Sequence, residues 1–393
     1  AESAAGAAAE ATVDGVQHGA AAARGAKTAA KATAGAAKKA AQAVGRLVGD
    51  EDEPTPVQAT LLANRDPAGP HEPFLVGVRL KIDPGWHVYW KHPGDAGVGT
   101  EVHIHADQGY TVGPVRFPRP KTFQQPGDIT GYGYTDEILL VAEVRPPSPK
   151  AGKHAGDAAK APKPPTPPDA VHVRATVHWQ ACKKVCVLGK NALSAKVGIA
   201  DEADEAEAEH EKAFRASLET APPLAPAWTL KDQAGAEHAL KDFRGKVVVL
   251  EWFNPQCPYV KRHHAQRDTM VALAKRYRPK GVVWLAVNST HFMGPETTAE
   301  WHRTWNLPYP VLIDRPGAVG RAYAAKTTPH MYVINRTGEI VYQGAIDDSP
   351  RGRKEDPTNY VAAALEDVLA GRPVAEPKTR PYGCSVKYAP ADK

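Results

Sequence analysis

The sequence predicts a multidomain protein of mixed class, an all-β antiparallel sandwich followed by an α/β unit built on parallel strands. Three observations predict it. Residues 56–200 form short runs of alternating apolar and polar residues broken by Gly, Pro and Asp. Residues 222–373 alternate short apolar runs with longer stretches at helical spacing. Between the two lies a charged stretch of strong helix formers, 201–221, with no broad apolar face beyond Phe214 and Leu218. It reads as a solvated helical linker.

The chain has 393 residues, room for two or three domains. It balances 49 basic against 44 acidic residues for a net charge of +5, which makes no demand for nucleic acid. No apolar run reaches the length of a membrane span, so no transmembrane segment is expected. The small-residue start AESAAG fits an exported chain whose signal peptide has been removed. Residues 1–55 are rich in Ala, with Lys, Gly and Thr between and no aromatic residue in the first 50. Such a segment buries too little to fold alone and reads as a disordered tether.

In the first folded region the strand candidates are 73–82, 86–90, 100–106, 137–144, 171–179 and 192–199, each with period-2 patterning. Their spacing argues for an antiparallel sandwich. The Lys-, Pro- and Ala-rich stretch 148–170 has no apolar period and reads as a flexible insertion between two strands. Cys182 and Cys186, in WQACKKVCVLGK, are four residues apart. A tight hairpin or a helical turn would bring their Cα atoms within disulfide reach. Spacing alone leaves a passive staple and an exchanging pair equally open. A zinc site would need two further ligands that His178 alone does not supply.

In the second folded region the run VVVLEWF (247–253) is short, β-branched and aromatic, the signature of a central strand. A helix over 258–277 is expected next, then a strand at 281–287, a helix near 297–305 and a strand at 310–314. The runs 330–335 and 339–346, separated by Arg336, Thr337 and Gly338, read as a hairpin, and 359–369 as a closing helix. Parallel strands with crossover helices and a terminal hairpin describe a thioredoxin-like fold.

Cys257 stands between the central strand and the first helix. Pro258 suits the first helical position, which puts Cys257 at or near the N-cap. Unpaired backbone N–H groups and the positive helix end favour thiolate there, and Lys261, Arg262, His263 and His264 add basic company. The alternative is a buried free cysteine acting as a small hydrophobe. His263, His264 and His330 also raise copper binding, although helix-surface histidines are ordinarily solvated and no full ligand set is visible.

The runs PGWHVYWKHPGDAG (84–97), GPVRFPRPKTF (113–123), GYGYTDEILLVAEV (131–144) and WQACKKVCV (179–187) together resemble the amino-terminal domain of the DsbD and ScsB thiol:disulfide interchange proteins. The resemblance implies an immunoglobulin-like sandwich outside the cytoplasmic membrane, with Cys182 and Cys186 as an exchanging pair. It also implies protein thiol and disulfide partners, among them a membrane electron donor of DsbD type, here not carried on this polypeptide.

The runs PAWTLKDQAGAEHALKDFRGKVVVLEWF, CPYVK, TTPHMYVINRTGEIVYQGAIDD and YGCSVKY resemble the redoxin branch of the thioredoxin superfamily related to alkyl hydroperoxide reductases (AhpC/TSA). That resemblance implies a cis peptide at Thr328-Pro329, holding a substrate backbone segment against the reactive sulfur. Many members carry Cys-x-x-Cys before Pro-Tyr-Val, where this chain has Asn254-Pro255-Gln256-Cys257, so Asn254 stands in the place expected for the attacking thiol. Peroxiredoxins follow their cysteine with a proline, present here as Pro258, but place Thr or Ser at the position of Asn254 and a further proline at that of Leu250, so a peroxidase motif is half broken. Cys384, on the tail 374–393, is the resolving partner that the resemblance implies, closing onto Cys257 from a mobile segment; a permanent structural disulfide is the alternative.

The expectation is an exported, periplasmic thiol:disulfide oxidoreductase with Cys257, Cys384, Pro329, Thr328 and Asn254 at its site, Cys182/Cys186 as second redox pair, and neither cofactor nor metal. A thiol peroxidase with an antioxidant role, and a non-catalytic scaffold with structural disulfides, are the alternatives.

Overall fold

The computed structural model describes residues 55–125, 127–147, 167–200 and 208–390. The expected tether, most of the insertion and the first third of the linker lie outside the described residues. Ten strands precede the linker: β1 (Val57–Ala63), β2 (Phe74–Ile82), β3 (His87–Gly94), β4 (Glu101–Ala106), β5 (Thr111–Val112), β6 (Lys121–Gln125), β7 (Ile129–Tyr134), β8 (Glu137–Arg145), β9 (Ala170–Cys182) and β10 (Cys186–Gly198). They form two antiparallel sheets, β1-β2-β8-β5 and β10-β9-β3-β7-β6, with β4 also paired to β9. Val78, Leu80 and Leu140 of the first sheet share one core with Val88, Val177 and Trp179 of the second. Alternation explains β9: Val171, Val173, Ala175, Val177 and Trp179 turn inward while His172 and Arg174 face out. Strands β1, β5, β6 and β7 are not among the candidates, since β5 is only two residues long and the others mix small, polar and apolar residues without a clean period.

The charged stretch does form a helix, α1 (Ala208–Thr220), but it is docked rather than solvated. Phe214 is only 1% exposed and packs on Leu139 and Val141 of β8. Ser217 Oγ donates to the Leu139 carbonyl at 2.6 Å. Gly77 makes the room, since a Cβ there would lie 2.6 Å from Leu139 and 3.1 Å from Phe214. Phe214, with Ala213 and Leu218 packed beside it and Ser217 bonded below, seats a helix whose remaining residues are mostly polar.

The second half begins with a small hairpin, β11 (Thr229–Lys231) and β12 (Glu237–Ala239), then the central strand β13 (Val247–Trp252). After it come α2 (Pro258–Lys261), α3 (Thr269–Tyr277), β14 (Val282–Asn288), α4 (Pro295–Thr304), β15 (Val311–Ile313) and α5 (Ala318–Ala322). The chain closes with β16 (Thr327–Thr328), β17 (Met331–Ile334), β18 (Ile340–Gly344), α6 (Tyr360–Leu369) and β19 (Cys384–Ser385). The sheet order is β15-β14-β13-β17-β18, parallel across β15-β14-β13 and antiparallel across β13-β17-β18, a thioredoxin-like arrangement. Every residue of β13 is buried because apolar clusters cover both faces. The single helix expected over 258–277 is broken. A π-turn occupies Arg262–Gln266, and Asp268 adopts a left-handed φ of 52° before α3 starts.

The two halves touch through few, specific bonds. Lys91 Nζ pairs with Glu339 Oε2 at 2.8 Å, and Arg119 donates to the Val374 carbonyl at 3.0 Å. A cavity of about 500 Å³ lies between them, walled by Trp90, Phe117, Ile340 and Val374, and none of the four cysteines lines it. It sits beside the turn that follows β17. Strand β17 starts two residues after Pro329 and spans Met331–Ile334, so at least its four residues, roughly 13 Å of extended chain, separate this contact from the Cys257 end of the sheet.

Candidate functional site

Strand β13 delivers the chain to a tight turn in which the Asn254 carbonyl accepts the Cys257 N–H at 3.0 Å and Asn254 Oδ1 accepts the Gln256 N–H at 2.9 Å. Cys257 is the N-cap of α2, with extended φ and ψ of −73° and 124° and Pro258 in the first helical turn. Asn254 is therefore a buried turn-builder, and the thiol at the helix start is Cys257 itself. Counting forward from it, the place of the second cysteine in a Cys-x-x-Cys is taken by Val260, which is fully buried.

Thr328-Pro329 is a cis peptide, as the sequence suggested. The Thr328 carbonyl lies 2.9 Å from the Cys257 sulfur. On its other side Thr328 pairs with Cys384, and Thr327 with Ser385, in the antiparallel β16-β19 bridge. Cys384 is thus held by backbone pairing rather than carried on a free tail. Gly383 allows this closeness: its φ is 142° and a Cβ there would come within 2.2 Å of the Thr328 oxygen. Both thiols are free, Cys257 buried at 2% exposure and Cys384 partly exposed.

Burial pushes the Cys257 thiol up, but hydrogen bonds from the Cys384 thiol, the Val260 N–H, the Thr328 hydroxyl and the Cys384 N–H outweigh it and hold Cys257 below the ordinary cysteine value. Cys384 moves the other way: burial and the neighbouring Cys257 sulfur raise it to about 11. One sulfur is tuned toward thiolate and the other toward thiol.

Two groups around the pair, Tyr382 and Glu251, carried no sequence expectation, and Arg262 takes a place the sequence did not specify. Tyr382 OH donates to Asp347 Oδ1 at 2.5 Å and lies 3.0 Å from His263 Nε2, tying the segment that bears Cys384 to the turn after Cys257. Arg262 lies over the rings of Tyr259 and Tyr382 at 5.5 and 5.6 Å. Glu251, fully buried within β13, meets His264 Nε2 at 2.6 Å. His263 and His264 are accordingly interior, not surface, side chains, because the π-turn rolls both inward. A glutamate inside an otherwise apolar strand run was the legible signal for that pair. His330 is also buried and bonds the Lys326 N–H and Tyr332 OH, while burial and Lys326 lower it to about 4. Among the described residues no group of three or more His, Cys, Asp and Glu side chains is arranged to hold a metal ion.

Cys182 and Cys186 face each other across the β9-β10 hairpin and form a disulfide. Lys183, Lys184 and Val185 make its tip, with Val185 64% exposed. Cys182 pairs with His87 at the start of β3, whereas Trp90 and His92, further along β3, face the cavity between the halves. The structure does not bring the two cysteine pairs together.

The fold and the apposed thiols define a thioredoxin-like redox protein with a sheet-rich module ahead of it. Residues 58–197 match the family described as thiol:disulfide interchange protein DsbD, N-terminal, and residues 223–343 match the AhpC/TSA family. The thiol-disulfide oxidoreductase ResA of Halalkalibacterium halodurans is 32% identical over 126 residues, 32% of this chain and 68% of that protein. ResA of Geobacillus kaustophilus is 32% identical over 117 residues, 30% of this chain, and the chain spans 64% of that relative's length. The solved structure of an uncharacterized conserved protein from Geobacillus kaustophilus is 34% identical, covering 44% of this chain and 93% of that one, with a TM-score of 0.40. Through its second half the chain belongs to the ResA family of thiol-disulfide oxidoreductases, joined to a DsbD amino-terminal module.

Proposed function

We propose that the protein is an exported thiol:disulfide oxidoreductase whose working pair is Cys257 and Cys384. The observation that carries this reading is the placement of a thiolate-tuned Cys257 against Cys384 across the β16-β19 bridge. In this reading Thr328 and Pro329 shape the backbone beside the sulfur, Asn254 builds the turn that presents it, and two electrons reside on sulfur without a bound cofactor. The chain divides into an immunoglobulin-like module over 56–200, a connecting segment over 201–221, the redoxin module over 222–373 and a tail over 374–393. The DsbD-type module supports a periplasmic or otherwise exported setting and protein thiol partners, including a membrane donor of DsbD type. Among the described residues no helix is long and apolar enough to cross a membrane. Cys182/Cys186 serve as a second pair that exchanges with such a partner, since their hairpin tip is exposed and lines no part of the cavity between the halves.

The test is disulfide mapping by mass spectrometry across graded redox buffers. A Cys257–Cys384 bond that opens and closes reversibly supports exchange. A potential below about −300 mV for both pairs would mark structural bonds and a scaffold role instead. Peroxidase activity is the second reading, favoured by a stabilised thiolate that only a small oxidant reaches past Cys384. It requires peroxide consumption, in the presence of a reducing system, that is lost in Cys257→Ser.

A further inference from the structure

In a thioredoxin-like site the backbone edge before the cis proline is where a partner's extended segment would lie. Here the chain fills that edge itself. Thr327 and Thr328 pair with Ser385 and Cys384, Thr328 Oγ1 donates to the Cys384 carbonyl at 3.4 Å, and the Val386 N–H donates to the Lys326 carbonyl at 3.2 Å. Gly383 packs so closely on the Thr328 carbonyl that no side chain fits between them. Tyr382 is locked at the near end by Asp347 and His263. Behind this segment Cys257 is 2% exposed, while Cys384 in front of it is partly open to solvent. A sulfur–sulfur displacement needs the incoming sulfur to reach its target, and a polypeptide partner cannot reach a sealed one.

We propose that the mixed disulfide with a protein partner forms on Cys384, and that Cys257 exchanges only with Cys384. The inference rests on the Cys257/Cys384 pair being the working one. Starting from the oxidised protein, a partner thiolate attacks Cys384 Sγ. The Cys257–Cys384 bond breaks as the partner–Cys384 bond forms, and Cys257 leaves as thiolate. A second thiolate of the partner then attacks the partner's own sulfur in the mixed disulfide. The partner is oxidised to its disulfide, and Cys384 leaves and takes a proton from water. Two electrons have passed from the partner dithiol to the Cys257/Cys384 pair. The tuning of the two sulfurs fits this order, because the thiolate held by the N–H groups of Val260 and Cys384 is the better leaving group. By microscopic reversibility, reduction of a partner disulfide also begins at Cys384 and is completed by Cys257.

The test uses the full chain, oxidised until the Cys257–Cys384 bond is verified, then mixed briefly with glutathione and quenched in acid. Peptide mapping should place glutathione on Cys384 over Cys257 by about tenfold or more, as expected when access selects the sulfur attacked. Glutathione disulfide should likewise modify Cys384 in Cys257→Ser about tenfold faster than Cys257 in Cys384→Ser, where the 382–385 segment still covers it. Adducts mainly on Cys257, or equally on both, overturn the inference while leaving the redox pair intact. Failure of any Cys257–Cys384 bond to form, at any poise, overturns the inference together with the function it rests on.

Discussion

The Thr328 carbonyl oxygen lies 2.9 Å from the Cys257 sulfur, close enough to accept the thiol proton and placed to oppose its loss. Ionisation gives up that bond and leaves a carbonyl dipole facing an anion. Burial opposes ionisation as well. The donors, the Cys384 thiol, the Val260 N–H, the Thr328 hydroxyl and the Cys384 N–H, outweigh burial and hold Cys257 below the ordinary cysteine value. The ultraviolet thiolate absorbance of the reduced protein, measured in Cys182→Ser/Cys186→Ser so that only two thiols titrate, should therefore rise in two separated steps. The first belongs below the ordinary cysteine value, the second near 11. A single step at the ordinary value would remove the basis for assigning different roles to the two sulfurs.

Gly383→Ala should loosen the segment that carries Cys384. The glycine has a φ of 142°, where an L side chain is strained, and its added Cβ would meet the Thr328 oxygen at 2.2 Å. The strain is on the order of 1–3 kcal/mol, released by unpairing β19 from β16. Redox titration should show a smaller fraction of Cys257–Cys384 disulfide at a given poise. Unchanged stability and an unchanged titration would mean that the contact is slack.

Much of this architecture was legible in the sequence, and the failures have physical causes. Strand β13 and the N-cap position of Cys257 follow from a β-branched run ending at a proline, both local signals. The linker helix was readable too, but not its docking, because a single aromatic at Phe214 does not make an apolar face. The π-turn that buries His263 and His264 has no propensity signature; it is imposed by Glu251 and Tyr382, which lie 13 and 119 positions away from their partners. The pairing of Cys384 with Thr328 spans 56 positions, so motif resemblance suggested a partner for Cys257 without showing that the edge beside it is occupied.

Tyr382→Phe keeps the ring under Arg262 and deletes only the hydroxyl shared by Asp347 and His263. Asp347 is 3% exposed, so removing its donor should destabilise the protein by about 1–3 kcal/mol. If Tyr382 positions Cys384, the Cys257–Cys384 potential should also rise by roughly 30 mV, the equivalent of tenfold in the disulfide equilibrium. Loss of stability at a constant potential would assign Tyr382 a structural role alone.

Acid should weaken the redoxin half through two histidines. Burial lowers both His263 and His330 from the ordinary 6.5 to about 4, with Arg262 and His264 adding to the shift at His263 and Lys326 at His330. Asp347 and Glu251 act on His263 in the opposite sense. Each imidazole is therefore neutral in the fold down to about pH 4, while the unfolded chain takes up its proton near 6.5. Between those values the unfolded state binds more protons, so stability increases with pH and is lost as pH falls from 6.5 toward 4. With His263 fully buried and His330 only 5% exposed, the loss is on the order of 3 kcal/mol for each histidine across that window. Denaturant midpoints of the wild type should fall steeply over this range and level off at neutral pH. His263→Gln and His330→Gln should each flatten the slope, whatever they cost at pH 7. A slope unaltered by either substitution would show that other groups govern the acid response.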